Sequence, residues 1–232
     1  VGLPDAALSQ AKERVRAAVT GAELPWPNGL VTINLSPANL PKTGTHYDLA
    51  IATAALAAID KVPKEAARNH VCLGELGLDG RLRRVPGILP AVLAAVRSGF
   101  DKVIVPASQE AEASLVPGVT VWAVGHLKDL VAVLNGEPPA GGWESPVEED
   151  VNPGRRPPLD FRDVRGHLDG RWVMEVAAAG RHHVFLHGAP GVGKTMLAAR
   201  LTSILPSLDG EEAVEVSALH SLAGMDLSGG LL

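Results

Sequence analysis

Eight consecutive residues could do chemistry on a phosphate: Gly188, Ala189, Pro190, Gly191, Val192, Gly193, Lys194 and Thr195. An apolar run at 184–187 with strand character precedes them, and a helical pattern starting at Met196 and running to 205 follows. This is the spacing G-x-x-x-x-G-K-[ST] in the strand–loop–helix setting that gives it meaning. Glycines let backbone N–H groups curl around phosphate oxygens with no Cβ in the way. The start of the helix adds the positive end of its dipole. Lys194 would reach the β- and γ-phosphates, and the Thr195 hydroxyl would ligate Mg2+. The bland rival is a glycine-rich turn met by coincidence; the flanking patterns argue against it. ATP with Mg2+ is the expected ligand, held by residues 188–195 with Met196 behind them.

Binding is not turnover. Hydrolysis also needs a strand ending in acidic residues, to hold the metal and position water. No apolar run ending in Asp-Glu follows Thr195. Glu211 and Glu212 precede a helical stretch and read as its solvated start.

Other residues take blander readings. His182-His183 has no third ligand at zinc spacing. Arg81, Arg83 and Arg84, around an Asp79-Gly80 hairpin turn, could touch a DNA backbone, but an exposed charged hairpin is the favoured reading. Cys72 lies in a buried-looking strand and is expected to be inert.

The elements that must position these groups fall into two pieces. Residues 136–158 are rich in proline, glycine and like charges, composition that resists packing, and are expected to be a linker. The piece before it, 1–135, alternates helix and strand signals: a helix from an Asp5 cap to about residue 20, a strand at 31–35, and a loop at 37–47. A helix capped by Asp48 runs to 59, followed by a strand at 71–76, a helix at 90–98, strands at 103–105 and 119–124, and a helix at 127–134. This is an α/β pattern. The piece after it, 159–232, carries the phosphate loop.

Composition sets the bounds. The chain has 232 residues, 46% hydrophobic and 20% charged, with 21 basic against 26 acidic residues for a net −5. That is enough apolar material to fold, so disorder is excluded, and no collagen or heptad period is present. No bulk basic excess announces nucleic acid or a membrane surface. The least charged stretch, 49–59, is far short of the about 20 residues that span a bilayer, and no signal peptide is expected. A single cysteine fits a reducing cytosol, so a cytoplasmic location is expected. The start at Val1 and the end at Gly229-Gly230-Leu231-Leu232 suggest that both ends are cut.

Three blocks of the second piece resemble a known family. They are Asp160-Phe-Arg-Asp-Val-Arg-Gly-His167, Glu175-Val-Ala-Ala-Ala-Gly180, and the run from His182 through the phosphate loop to Ala198. Together they resemble the start of the magnesium-chelatase-like AAA+ ATPases, in the branch called YifB/ComM, which carries an N-terminal Lon-protease-like domain. Residues 1–7, 14–18, 32–42 and 48–51 are similar to that domain. The resemblance implies a Lon-protease-like α/β domain at 1–135, its N-terminus missing, and the first part of a P-loop AAA+ domain at 159–232. The segment Asp163-Val164-Arg165-Gly166 would lie beside the adenine, making Val164 and Gly166 binding residues; His167 stands where the family often has glutamine. Residues 168–179 would be the helix behind the base. The acidic strand, sensor and arginine finger would lie beyond Leu232, and apolar faces of this half are expected to stay uncovered.

The same resemblance bears on proteolysis. Lon-type enzymes use a serine nucleophile and a lysine base. Here the serine position falls at His46, beside Thr45, and the lysine position at Leu89. Leu89 cannot act as a base, so the domain is read as catalytically dead, a scaffold or substrate guide. A Thr45–Lys42 pair is the one rescue, and plain turn residues are its favoured rival.

Taken whole, the resemblance implies a homo-oligomeric ring, hexameric, with DNA as a partner and no membrane, driving branch migration during recombination of incoming DNA. The rivals are a chelatase- or chaperone-type ATPase that remodels a protein, and a fragment that binds ATP without turnover.

Overall fold

The computed structural model describes residues 3–4, 10–37, 39, 41–139 and 159–232, with only the backbone described for Leu3, Pro4 and Pro41. The Asp5 cap and nearly all of the expected linker lie outside the described residues. In chain order the elements are β1 (Leu3–Pro4), α1 (Ala11–Gly21), β2 (Pro41–Lys42), α2 (Asp48–Ala58), α3 (Lys64–Asn69), β3 (Val71–Cys72), β4 (Glu75–Leu76), β5 (Leu82–Arg83), α4 (Ile88–Arg97), β6 (Lys102–Pro106), α5 (Glu110–Ala113), β7 (Thr120–Val124), α6 (Leu127–Leu134), α7 (Leu168–Ala179), α8 (Lys194–Ala198) and α9 (Gly210–Leu222). They form two compact units. The first comprises Val1–Val147 together with Glu211–Leu232, the second Glu148–Gly210. Unlike the division at 136–158 read from composition, this one returns the last 22 residues to the first unit.

The first unit is built on a three-stranded parallel sheet in the order β3-β6-β7. β6 pairs Val103 with Val71 on one side and with Val121 on the other. Its side chains alternate between two cores. Ile104 joins Val15, Val19, Leu49, Leu56 and Leu130 from α1, α2 and α6. Val103 and Val105 join Ile88, Leu89 and Val92 of α4, with Leu227 from the returning segment. A strand buried on both faces reads as one apolar run, as Val103-Ile-Val105 does.

The helices follow their burial patterns. α1 buries Ala11, Val15, Ala18 and Val19, one stripe at helical spacing. α2 buries eight of its eleven residues and is apolar nearly all round, as a helix enclosed by its neighbours must be. α4 buries Ile88, Leu89, Val92 and Ala95, and Gly99 stops the chain just beyond it at φ +88°. Each fully buried leucine or isoleucine contributes about 1.5–3 kcal/mol relative to exposure.

Several expectations shift. Residues 31–35 alternate between half-buried and exposed as expected, and Ile33 and Leu35 pack on the first core, but they form no ladder among the described residues. The alternation reports one-sided burial. The strand expected over 71–76 is two: β3 joins the parallel sheet, and β4 turns away at Gly74 (φ +156°) to pair antiparallel with β5. Asp48 is not a cap. Tyr47 occupies that position without a side-chain hydrogen bond, and Asp48 is spent on Arg14.

Cys72 is buried beneath α2, with the Thr53 hydroxyl 3.5 Å from its sulfur. Burial pushes its thiol up to about 11, against the opposing pull of the Thr53 hydrogen bond. Because only the thiolate reacts, the native chain at pH 7.5 should be alkylated by iodoacetamide ~100-fold or more slowly than a free cysteine. Time-resolved mass spectrometry checks this, and modification at the free-thiol rate would refute the burial argument.

Candidate functional site

The second unit has its own small core: Phe161, Val164, Met174 and Leu197, with Val184, Leu186, Met196, Leu201 and Ile204 against it. Asp160 caps the turn at Phe161–Asp163 by accepting from the Arg162 N–H (2.9 Å). Ser203 accepts the Phe161 N–H at 2.9 Å. Val164 is buried, and Leu197 lies where a Cβ on Gly170 would meet it (3.2 Å), which packs α7 closely on α8.

The phosphate loop connects the segment 184–187 to α8. Gly188, Gly191 and Gly193 have φ of +149°, +84° and +84°, conformations that residues with a Cβ rarely adopt. The N–H groups of Gly191, Val192 and Gly193 have no acceptor among the described residues. Lys194 Nζ donates to the carbonyls of Gly188 (2.8 Å) and Ala189 (2.7 Å), which holds its ammonium over the loop. Thr195 is exposed. Free N–H donors, open space at Gly191 and a primary ammonium on one short loop fit a polyphosphate.

Of the residues expected beside the base, Val164 is a core residue and Gly166 (φ +71°) faces open space. His167, in the left-handed region at φ +51°, brings its imidazole to Gly193: a Cβ there would meet Nε2 at 3.1 Å. The two expected parts of the site thus meet through a side chain that had no assigned role. Two local expectations fail. Residues 184–187 form no strand among the described residues, since a strand needs a ladder partner and none is present there. The helix expected over 196–205 is α8 alone, followed by a 3-10 turn at Leu201–Ile204. The Ser203 hydroxyl donates to the Arg200 carbonyl (2.8 Å), a competing local bond, and Pro206 biases Leu205 to its extended conformation.

Leu168, Trp172, Val173 and Val176 of α7 are exposed, as is Phe185, matching the expected uncovered apolar faces. Among the described residues no group of three potential ligands could hold a metal, and no helix is long and apolar enough to cross a membrane. Arg81 pairs with Asp79 (3.5 Å) and Arg84 with Asp226 (3.6 Å).

The residues at the Lon-type positions all fall in the first unit. Thr45 donates to the Glu75 carboxylate, and Lys42 to the Pro37 carbonyl. His46 packs against Tyr47 with ring centroids 4.2 Å apart and planes tilted by 41°. Leu89 is buried in the second core. His46 and the residues flanking Leu89 line one cavity of about 310 Å3.

Known families match both ends of the chain. "Subunit ChlI of Mg-chelatase" covers residues 1–109, and "Magnesium chelatase, subunit ChlI" covers residues 160–232. YifB of Salmonella typhimurium is 40% identical over 97% of the chain, and the competence protein ComM of Haemophilus influenzae is 39% identical over 98%. The chain belongs to the YifB/ComM branch of the magnesium-chelatase-like family. An uncharacterized relative, Rv2897c of Mycobacterium tuberculosis, is 52% identical over 99% of the chain. The chain spans less than half the length of these curated relatives, 44–45%. Lon protease 2 of Bacillus subtilis is 29% identical over 118 residues, half of this chain and 20% of that protease. The YifB/ComM chain is therefore α/β, with a Lon-protease-like domain ahead of a P-loop one.

Proposed function

We propose that this chain is the ATP-binding, front portion of a ring-forming motor. Residues 188–195 hold the triphosphate, with Lys194 at the β- and γ-phosphates and the Thr195 hydroxyl on Mg2+; Val164, Gly166 and His167 flank the base. The observation that carries the reading is the loop itself: three glycines at positive φ, unpaired N–H groups, and the Lys194 ammonium held over them. Bound Mg2+ would neutralise charge on the phosphates. The loop's donors orient them.

The full-length protein then acts as a homo-oligomeric, hexameric ATPase in the cytoplasm that drives DNA branch migration in natural transformation. Its membership beside the competence protein ComM supports this. The Lon-like domain serves as a scaffold without hydrolytic activity. Its support is the aliphatic Leu89 at the base position and the Thr45 hydroxyl turned to a carboxylate.

Calorimetry of the 232-residue chain with ATP and Mg2+ tests the site. Lys194→Ala removes charge-assisted bonds to phosphate and should weaken binding by about 100-fold; unchanged affinity removes the assignment. In the full-length protein, branched DNA should stimulate ATP hydrolysis. Stimulation by a protein partner and by no DNA would instead favour a chelatase-type remodeller.

A further inference from the structure

The cavity at the Lon-type positions is closed from one side by the returning segment. α9 buries a stripe of small residues, Ala213, Ser217 and Ser221, and lays it on the first unit. The Ser221 carbonyl accepts the Gly87 N–H at 2.9 Å. Its hydroxyl accepts the Leu89 N–H (3.3 Å) and donates to Glu112 Oε1 (2.5 Å). Leu222 lines the same cavity as His46, with its Cδ2 2.8 Å from where a Cβ on Gly87 would stand. Beyond the helix, Asp226 pairs with Arg84, and Leu227 enters the second core.

On the receiving side, Gln109 and Glu112 are paired without this segment. Gln109 holds Val85 through both its N–H (2.9 Å) and its carbonyl (2.8 Å). Glu112, buried to 4% exposure, already accepts from Leu89 N–H (3.2 Å) and Gln109 Nε2 (3.2 Å). Its carboxylate can accept further bonds, and the Ser221 hydroxyl takes one. The side-chain donors and acceptors of the groove are thus paired among themselves, and the segment adds an acceptor for the buried Gly87 N–H. Leu222 stays 59% exposed, so the seated segment is held at one edge rather than enclosed.

We infer that the degenerate cleft of the Lon-like unit is a docking groove whose occupant is the chain's own segment 217–227, seated through Ser221 and Leu222. The cleft that hydrolyses peptides in Lon-type enzymes here clasps one. The segment follows the phosphate-loop unit in the chain and belongs to the first unit. This inference does not depend on nucleotide binding.

Hydrogen exchange on the whole chain tests it, because the Gly87 and Leu89 amides both donate to Ser221. Ser221→Ala and Leu222→Asp should each speed exchange at Leu89 by about tenfold or more, with Gly87 following in Leu222→Asp. Leu219→Asp, on the exposed side of the same helix, should leave both amides unchanged. Excess synthetic peptide spanning residues 211–232 should slow exchange again in the Leu222→Asp chain. Amides of Val103 and Val105 report on the fold of the unit. If they accelerate equally in Leu222→Asp, the Ser221→Ala chain decides. Unchanged exchange in Ser221→Ala, equal effects from Leu219→Asp, or no protection by the peptide would each overturn the clasp.

Discussion

Replacing Arg14 with methionine should destabilise the first unit by about 3–5 kcal/mol. Arg14 meets Asp48 through two bonds, Nε to Oδ2 at 2.6 Å and Nη2 to Oδ1 at 2.8 Å. The Asp48 side chain is fully buried, while Arg14 keeps 18% exposure. The Asp48 hydrogen bond holds the guanidinium above its usual pKa, against desolvation. Asp48 also accepts the Leu76 N–H at 3.3 Å, and so ties α1, α2 and β4 together. Methionine fills much of the arginine's volume but strands a buried carboxylate, and that desolvation is the cost. The double change Arg14→Met, Asp48→Leu should be less damaging than Arg14→Met alone, because it removes the stranded charge. Denaturation in urea, read through hydrogen exchange in α1 and α2, compares them. A double variant no more stable than the single one would show that the buried charge is not the cause.

The second large effect belongs to Gly80, in the turn between β4 and β5. Its φ is +84°, and a Cβ would stand 2.7 Å from the Cβ of Ala22 and 3.0 Å from His126 Nε2. Neither neighbour yields easily. Ala22 Cβ is fixed to the backbone at the end of α1, and His126 Nε2 is 3.0 Å from the Asp79 carbonyl. The Gly80 carbonyl also accepts the Leu127 N–H (2.9 Å) at the start of α6, so the turn cannot back away without loosening that helix. Gly80→Ala should therefore cost about 2–4 kcal/mol, strain and clash together. Gly99→Ala is the matched control: φ +88°, but open space around the new methyl. It should cost only the strain, about 1–2 kcal/mol. Equal losses in urea midpoints would show that close approach adds nothing at Gly80.

What the sequence disclosed followed local physics. The hairpin was legible because Asp79-Gly80 demands a turn, and β6 because three apolar β-branched residues stand together. α6 matched its expected bounds, 127–134. The phosphate loop was legible because its chemistry fixes its spacing. What stayed hidden depends on partners distant in the chain. Alternation at 31–35 could not say whether a neighbouring strand exists. Asp48 looked like a cap because Arg14, 34 residues away, is invisible to local pattern. Gln109 and Glu112 drew no reading from the sequence, since nothing local shows that Ser221 joins Glu112 from 109 residues on. His167 was noticed only as a departure from glutamine, and its place against Gly193 needed the fold.

The two-sided burial of β6 carries one more consequence. Ile104 on one face and Val103 and Val105 on the other make this strand a party wall between two closely packed rooms. Interiors packed this tightly transmit a displacement instead of absorbing it. On one side stand α1, α2 and α6; on the other stand α4 and Leu227 of the segment that returns from the phosphate-loop unit. A shift in how that segment is seated presses on the wall through Leu227, and the far room has no slack to ignore it. The two cores of the first unit are thus mechanically joined through a single strand.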